Sequence, residues 1–207
     1  MNTDATVFIV DDDQAMRTSL QWLIEATGLA VQTYESADAF LASYYPGRAG
    51  CLLLDVRMPG MSGLELQSHL KRQGYRLPVI LITGHGDVAM AVKAMKAGAL
   101  DFIEKPFHDE DLLRSIHYAL AFDQKHRAHD LARTEIAGRI ADLTPREHEV
   151  MALVTEGQSN KEIAATLGVS AKTVEAHRAR VMEKMRAESL AELVRMALLV
   201  ASETALS

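Results

Sequence analysis

Five short strand-like runs, three of them almost wholly apolar and each followed by a segment with helical spacing, constrain this chain more than any other feature. They cover residues 7–10, 30–34, 51–54, 77–82 and 99–103. Between them Met16, Leu20, Leu23 and Ile24 recur at helical intervals, segments 37–45, 64–70 and 88–97 read as further helices, and Gly28 and Gly98 act as stops. A fifth helix opens at Asp109. Strand and helix alternating five times predict a doubly wound α/β fold: a parallel five-stranded sheet with helices on both faces and right-handed crossovers.

In open sheets of this kind ligands bind beyond the carboxyl ends of the strands. Asp11 and Asp12, Asp55, Thr83 and Lys105 each follow or end a different run, so the topology brings them to one rim. After Asp55, the residues Pro59, Gly60 and Gly63 break the chain into a loop. Clustered carboxylates repel unless a cation joins them, and oxygen-only ligands select a hard ion, here Mg2+ completed by water. A carboxylate beside Mg2+, a hydroxyl and an ammonium makes a phosphoryl-accepting site, with Asp55 as the acceptor. Taken singly these residues are ordinary: Asp11 or Asp12 as a helix N-cap, Thr83 at a strand end, Lys105 as a solvated cation.

Length and composition bound the rest. A chain of 207 residues with 48% hydrophobic and 24% charged residues suits one core of ordinary size and a smaller one. The first residues lack the basic and apolar regions of a signal peptide, and no segment is apolar enough for a membrane span, which together predict a cytoplasmic protein. Cys51, the one cysteine, lies in an apolar run and is given no role. The net charge is −6, yet between Gln158 and Arg186 six cations (Lys161, Lys172, Arg178, Arg180, Lys184, Arg186) face three acids, a local +3 that suits a polyanion.

Residues from about 5 to 125 resemble the receiver domain of two-component response regulators, on the acids Asp11 and Asp12, Asp55, Thr83 and Lys105-Pro106. The resemblance implies that a histidine kinase phosphorylates Asp55 and that Asp11, Asp12, Asp55 and the Arg57 backbone carbonyl hold Mg2+. It further implies Thr83 as the switch hydroxyl, Phe102 as the switch aromatic, Lys105 on the phosphoryl group and a cis Lys105-Pro106 bond. The stretches Ile82-Thr83-Gly84-His85-Gly86-Asp87 and Ala94-Met95-Lys96-Ala97-Gly98-Ala99 are similar to FixJ-like regulators in particular. Val7 to Asp13 also fits the strand-Asp-x-Asp start of haloacid-dehalogenase-like phosphatases. Ala15, where that family usually has Thr or Val, and the unexplained Asp55 loop count against it.

Residues 123–139 read as a polar helical linker between a receiver at 1–122 and a second domain at 140–207. His126 and His129 stand at i and i+3 with no second ligand pair, as on a solvated face. Thr144, Pro145 and Glu147 spell a helix start with a capping box. Ser159 caps a second helix, Gly168 turns the chain, and Ser170 caps a third, which makes a helix-turn-helix. Turning the third helix by 100° per residue puts Val174, His177, Val181 and Met185 on a packing face, with His177 expected as a satisfied core histidine. Lys172, Glu175, Ala176, Ala179 and Arg180 share the free face, where small alanines permit entry to a major groove. Thr173 and Arg178 lie at its margins, suited to phosphate, and Lys161 adds a cation on the preceding helix.

This segment resembles the LuxR-type output domain, on Leu143-Thr144-Pro145-Arg146-Glu147, Gly157, Ser159 to Ala164, Leu167, and Val169-Ser170, Lys172-Thr173-Val174 and His177. The resemblance implies binding to double-stranded promoter DNA and a dimer contact on the following helix. There Leu190, Leu193, Val194, Ala197 and Leu198 form an apolar stripe that would equally close the domain's own core. The whole reads as a response regulator that forms a homodimer on activation and is not an enzyme beyond slow self-dephosphorylation. The alternative is a phospho-regulated protein-interaction module.

Overall fold

The structure is a computed structural model and describes residues 5–84 and 88–201. His85, Gly86 and Asp87, part of the FixJ-like stretch, lie outside the described residues. The chain divides into two compact units, Met1–His126 and Arg127–Ser207.

In the first unit β1 (Thr6–Val10), β2 (Ala30–Tyr34), β3 (Gly50–Asp55), β4 (Val79–Thr83) and β5 (Asp101–Glu104) form a parallel sheet in the order β2-β1-β3-β4-β5. They alternate with α1 (Gln14–Glu25), α2 (Ala37–Ser43), α3 (Gly63–Arg72), α4 (Val88–Ala97) and the start of α5 (Asp109–Ala141). The doubly wound fold expected from the apolar runs is the fold observed. One face of the sheet packs Phe8, Leu52, Leu54 and Leu81 against Phe40, Leu66 and Ala94; the other packs Ile9, Leu53, Ile80 and Ile82 against Leu20, Ile24, Leu112 and Ile116. Because both faces are covered, β3 and β4 are buried along their whole length, which is why they read as continuous apolar runs rather than alternating ones.

In the second unit α6 (Pro145–Thr155), α7 (Asn160–Leu167), α8 (Ala171–Met185) and α9 (Leu190–Ala201) enclose a core of Val150, Val154, Ile163, Val174, Val181, Met185 and Leu193. Thr144 and Glu147 form the expected capping box, Ser159 and Glu162 form another, and Gly168 closes α7 at φ 67°. The helical linker at 123–139 is exposed or half-buried over residues 124–130, the stretch expected to be an exposed connector, but Asp123 is buried in the first unit, where its carboxylate accepts the Gly50 N–H at 3.0 Å, and Ile136 is buried in the core of the second. Its polar composition hid both, because one buried residue per few turns leaves no apolar stripe to read.

Candidate functional site

The parallel register aligns the strand ends: Val10 pairs with Leu54, Asp55 with Ile82, and Thr83 with Glu104. Asp11 follows β1, Asp55 ends β3, Thr83 ends β4 and Lys105 follows β5, so four elements deliver one polar cluster to the rim. Lys105 Nζ donates to Asp55 Oδ1 at 2.8 Å and to Asp11 Oδ2 at 2.9 Å. The second oxygen of each carboxylate takes a backbone N–H, Arg57 to Asp55 Oδ2 at 2.7 Å and Asp13 to Asp11 Oδ1 at 2.8 Å. Asp11, Asp55 and Thr83 retain 3%, 8% and 1% of their exposure. The Lys105 peptide N–H bonds the Thr83 carbonyl, and the Lys105-Pro106 bond is cis as expected.

Electrostatics follow from that geometry. Burial pushes the Asp11 carboxyl above its usual range, against the pull of the Lys105 hydrogen bond. Burial alone would lower the Lys105 ammonium, but hydrogen bonds to Asp55 and Asp11 and their charges outweigh it, and the net shift is upward. Two buried carboxylates thus share one ammonium, an excess of negative charge in a site of oxygen donors. That donor set fits a hard divalent cation.

The structure brings Asp11, Asp55 and Lys105 into contact and puts Thr83 at the end of β4, tied to Lys105 through its carbonyl. Asp12 is exposed beside Asp11, and Arg57 enters through its N–H, its side chain lying exposed. Among the described residues no group of three or more His, Cys, Asp or Glu stands in metal-ligating geometry. Phe102 is half-buried against the core face that holds Leu81 and Ala94. The N-cap of α1 is neither Asp11 nor Asp12 but Asp13, which accepts the Ala15 and Met16 N–H groups and leaves the two preceding acids to the rim. Of two further contributors, Arg17 was not singled out from sequence and Gly63 was read only as a loop breaker. Arg17 Nη1 donates to the Asp11 carbonyl at 2.6 Å, and Gly63 packs against the Asp55 backbone. Cys51 is buried and its thiol pKa is raised by that burial, which leaves it inert.

The second site is the exposed face of α8. Val174, Val181 and Met185 are buried, while Lys172, Thr173, Glu175, Ala176, Ala179 and Arg180 are exposed, as the helical wheel requires, and Lys161 is exposed on α7. Ser170 caps the helix through the Thr173 N–H, and Arg178 Nη1 donates to Asn160 Oδ1 at 2.8 Å, bracing α8 against the start of α7. His177 does not behave as a satisfied core histidine: its Nδ1 is buried without a partner in the structure. On α9 the apolar stripe splits. Leu193 and Ala197 enter the core, whereas Leu190 and Leu198 are exposed. Among the described residues no helix is long and apolar enough to cross a membrane.

Two family models match the chain. Residues 7–117 match the response regulator receiver domain family and residues 141–197 the luxR family of bacterial regulatory proteins. The chain is 50% identical over 193 residues to transcriptional regulatory protein FixJ of Azorhizobium caulinodans, covering 93% of this chain and 92% of that one. It is 48% identical over 196 residues to FixJ of Rhizobium meliloti, covering 95% and 96%. Among solved structures, the response regulator StyR superposes with a TM-score of 0.84 at 41% identity over 94% of this chain and 98% of that one. Full-length FixJ from B. japonicum superposes with a TM-score of 0.58 at 42% identity over 97% and 99%. A receiver carrying a buried Asp55–Lys105–Asp11 cluster, followed by a helix-turn-helix of matching sequence, places this chain in the two-component response-regulator family, in the group with a LuxR-type DNA-binding domain.

Proposed function

We propose that Asp55 accepts a phosphoryl group from a sensor histidine kinase and that this controls homodimerisation and binding to double-stranded promoter DNA in the cytoplasm. The observation that carries the reading is the contact of Lys105 Nζ with both Asp55 and Asp11 at the strand rim. One Asp55 carboxylate oxygen attacks the phosphorus of a phosphohistidine. The P–O bond forms as the P–N bond breaks, and the imidazole nitrogen keeps the bonding pair and takes up a proton from solvent. Lys105 and the Arg57 N–H already hold the two Asp55 oxygens, so the carboxylate meets the donor in one orientation. Once the acyl phosphate exists, Lys105 is placed to turn from the carboxylate to a phosphoryl oxygen, and Thr83 at the end of β4 is placed to follow. Asp11, Asp12, Asp55 and the Arg57 carbonyl would hold Mg2+, which supplies positive charge against the phosphoryl oxygens.

Movement of Thr83 is read by Phe102 on the neighbouring strand, where Leu81 pairs with Phe102. In the second unit Lys172, Glu175, Ala176, Ala179 and Arg180 face the groove; Lys161 and Thr173 serve phosphates, and Arg178, at the margin of that face, braces α8 through Asn160. Leu190 and Leu198 on α9 supply the dimer contact, and pairing two domains lets both half-sites contribute without a second entropic loss. Self-dephosphorylation, in which water attacks the phosphorus of the acyl phosphate and the Asp55 carboxylate leaves with the P–O bonding pair to release inorganic phosphate, is slow.

The test is to incubate the wild-type chain and Asp55→Asn with acetyl phosphate and Mg2+, then measure phosphoryl incorporation, mass in solution and duplex binding. Incorporation, dimer mass and tighter binding in wild type alone are expected. Equal behaviour of the two proteins would remove the phosphoryl switch, and a wild type that protects no duplex at any salt would remove the transcriptional reading.

A further inference from the structure

The carboxyl end of a helix leaves four carbonyls without partners inside it. At α8 the N–H groups of Arg186 and Ala187 return to Glu183 and Met182, with Arg186 at φ 54°, the one non-glycine residue of positive φ among the described residues. The last carbonyl, Met185 O, is taken by α5: Arg139 Nη1 donates to it at 3.0 Å. A guanidinium at this point also meets the negative end of the helix dipole. Arg139 Nη2 is held by Glu135 at 2.6 Å, so the fork is oriented along its own helix before it reaches α8. A second strut runs back, from Lys184 Nζ on α8 to the Asp142 carbonyl just beyond α5 at 3.1 Å. Ile136 and Ile140 pack into the same core as Val181 and Met185.

We infer that the last two turns of α5 are the positioning element of the recognition helix, and that Arg139 is a positioning residue that sets α8 from its carboxyl end without touching DNA. The inference rests on the DNA-binding reading and adds to it a route of control. Base readout needs side chains placed to within about half an ångström. The far end of α8 is fixed by its Ser170 cap and by Arg178 on Asn160, and Lys184 is held by Glu147 and the Asp142 carbonyl, so Arg139 is the contact that ties the last turn of α8 to α5 itself. A change in the winding or direction of α5 then reaches the reading face through side-chain contacts, with no loop to absorb it.

The test uses the full chain and two duplexes: one enriched by wild type from a random pool, the other its scramble. Arg139→Ala is expected to weaken binding to the enriched duplex about tenfold, the scale of one mismatched base pair, while the scramble changes by no more than about twofold. The slope of affinity against salt stays as in wild type, because no phosphate contact is lost. Arg139→Lys recovers part of the preference, and hydrogen exchange quickens in the last turn of α8 while α6 and α7 keep wild-type protection. Equal weakening on both duplexes with a slope smaller by about one makes Arg139 a phosphate contact and overturns the inference. Unchanged preference in Arg139→Ala overturns it too. If the alanine variant does not fold, Arg139→Met, which keeps an unbranched stem but cannot donate to Met185 O, is judged by the same criteria. Failure of wild type itself to bind either duplex is a separate result, which sinks the DNA-binding reading and this inference together.

Discussion

The carbonyl oxygen of Asp55 occupies the space where a side chain on residue 63 would begin: a Cβ at Gly63 would stand 2.2 Å from it. Gly63 opens α3 and donates its N–H to the Val56 carbonyl at 3.1 Å, so the loop after β3 folds back onto the backbone of the acceptor itself. Only glycine permits that approach, and the obstacle is rigid backbone rather than a side chain that can swing aside. Gly63→Ala should therefore destabilise the receiver by about 1–3 kcal/mol, the usual cost of overpacking, and slow phosphoryl transfer to Asp55. Urea unfolding and acetyl phosphate labelling measure the two effects. An unchanged midpoint and rate would mean that the loop gives way at no cost.

Asp11 is held against its preference. Its folded carboxyl is raised by burial, so its ionised form costs stability at any pH above that raised value, and the cost disappears as pH falls through it. Asp11→Asn should raise the melting temperature at neutral pH while reducing phosphoryl incorporation, the pattern of a charge kept for chemistry rather than for folding. A lower melting temperature would show that the hydrogen bond from Lys105 outweighs the burial.

Glu147 presents the opposite sign. It is 3% exposed, and hydrogen bonds from Lys184 Nζ at 2.7 Å and from the Thr144 N–H at 2.9 Å hold its carboxyl down at about 2, from an ordinary 4.5. A depressed carboxyl contributes stability that is fully present above 4.5 and is lost as pH falls toward 2. Melting of the second unit should fall across that window in wild type. In Glu147→Gln the deficit against wild type should be largest at neutral pH and shrink as pH approaches 2; a deficit constant with pH would sink the assignment.

Most of the receiver was legible because its signals are short-range. A buried strand in a parallel sheet must be apolar along its length, and the polar residue that ends it must lie at the rim, so Asp11, Asp55, Thr83 and Lys105 were placed by topology alone. The capping boxes of α6 and α7 were legible for the same reason, since cap and partner stand three residues apart. What stayed hidden depends on contacts across long separations. Nothing near Gly63 in sequence announces the Asp55 carbonyl, and nothing in the polar stretch around Arg139 announces Met185. The α9 stripe was ambiguous because periodicity reports a face and not its neighbour. Leu193, 1% exposed, and Leu198, 64% exposed, belong to that one stripe yet meet the core and solvent respectively.

Arg178 and Arg180 lie two residues apart on α8 and meet different surroundings. Arg178 spends its guanidinium on Asn160 Oδ1, whereas Arg180 is exposed on the face that carries Ala176 and Ala179. Arg180→Ala should leave the melting temperature close to wild type and weaken binding to an enriched duplex by about 1–3 kcal/mol, with relaxed preference at one base step. Arg178→Ala should instead lower the stability of the second unit, and a cycle with Asn160→Ala should give a coupling of about 0.5–1.5 kcal/mol, the net worth of one hydrogen bond. Thermal melts and titrations on a single duplex distinguish the two residues. If Arg178→Ala weakens binding uniformly at unchanged stability, its bond to Asn160 is incidental and phosphate is its partner. If Arg180→Ala binds with full affinity and preference, the reading face must be rotated toward Lys172 and Glu175, at the start of the helix.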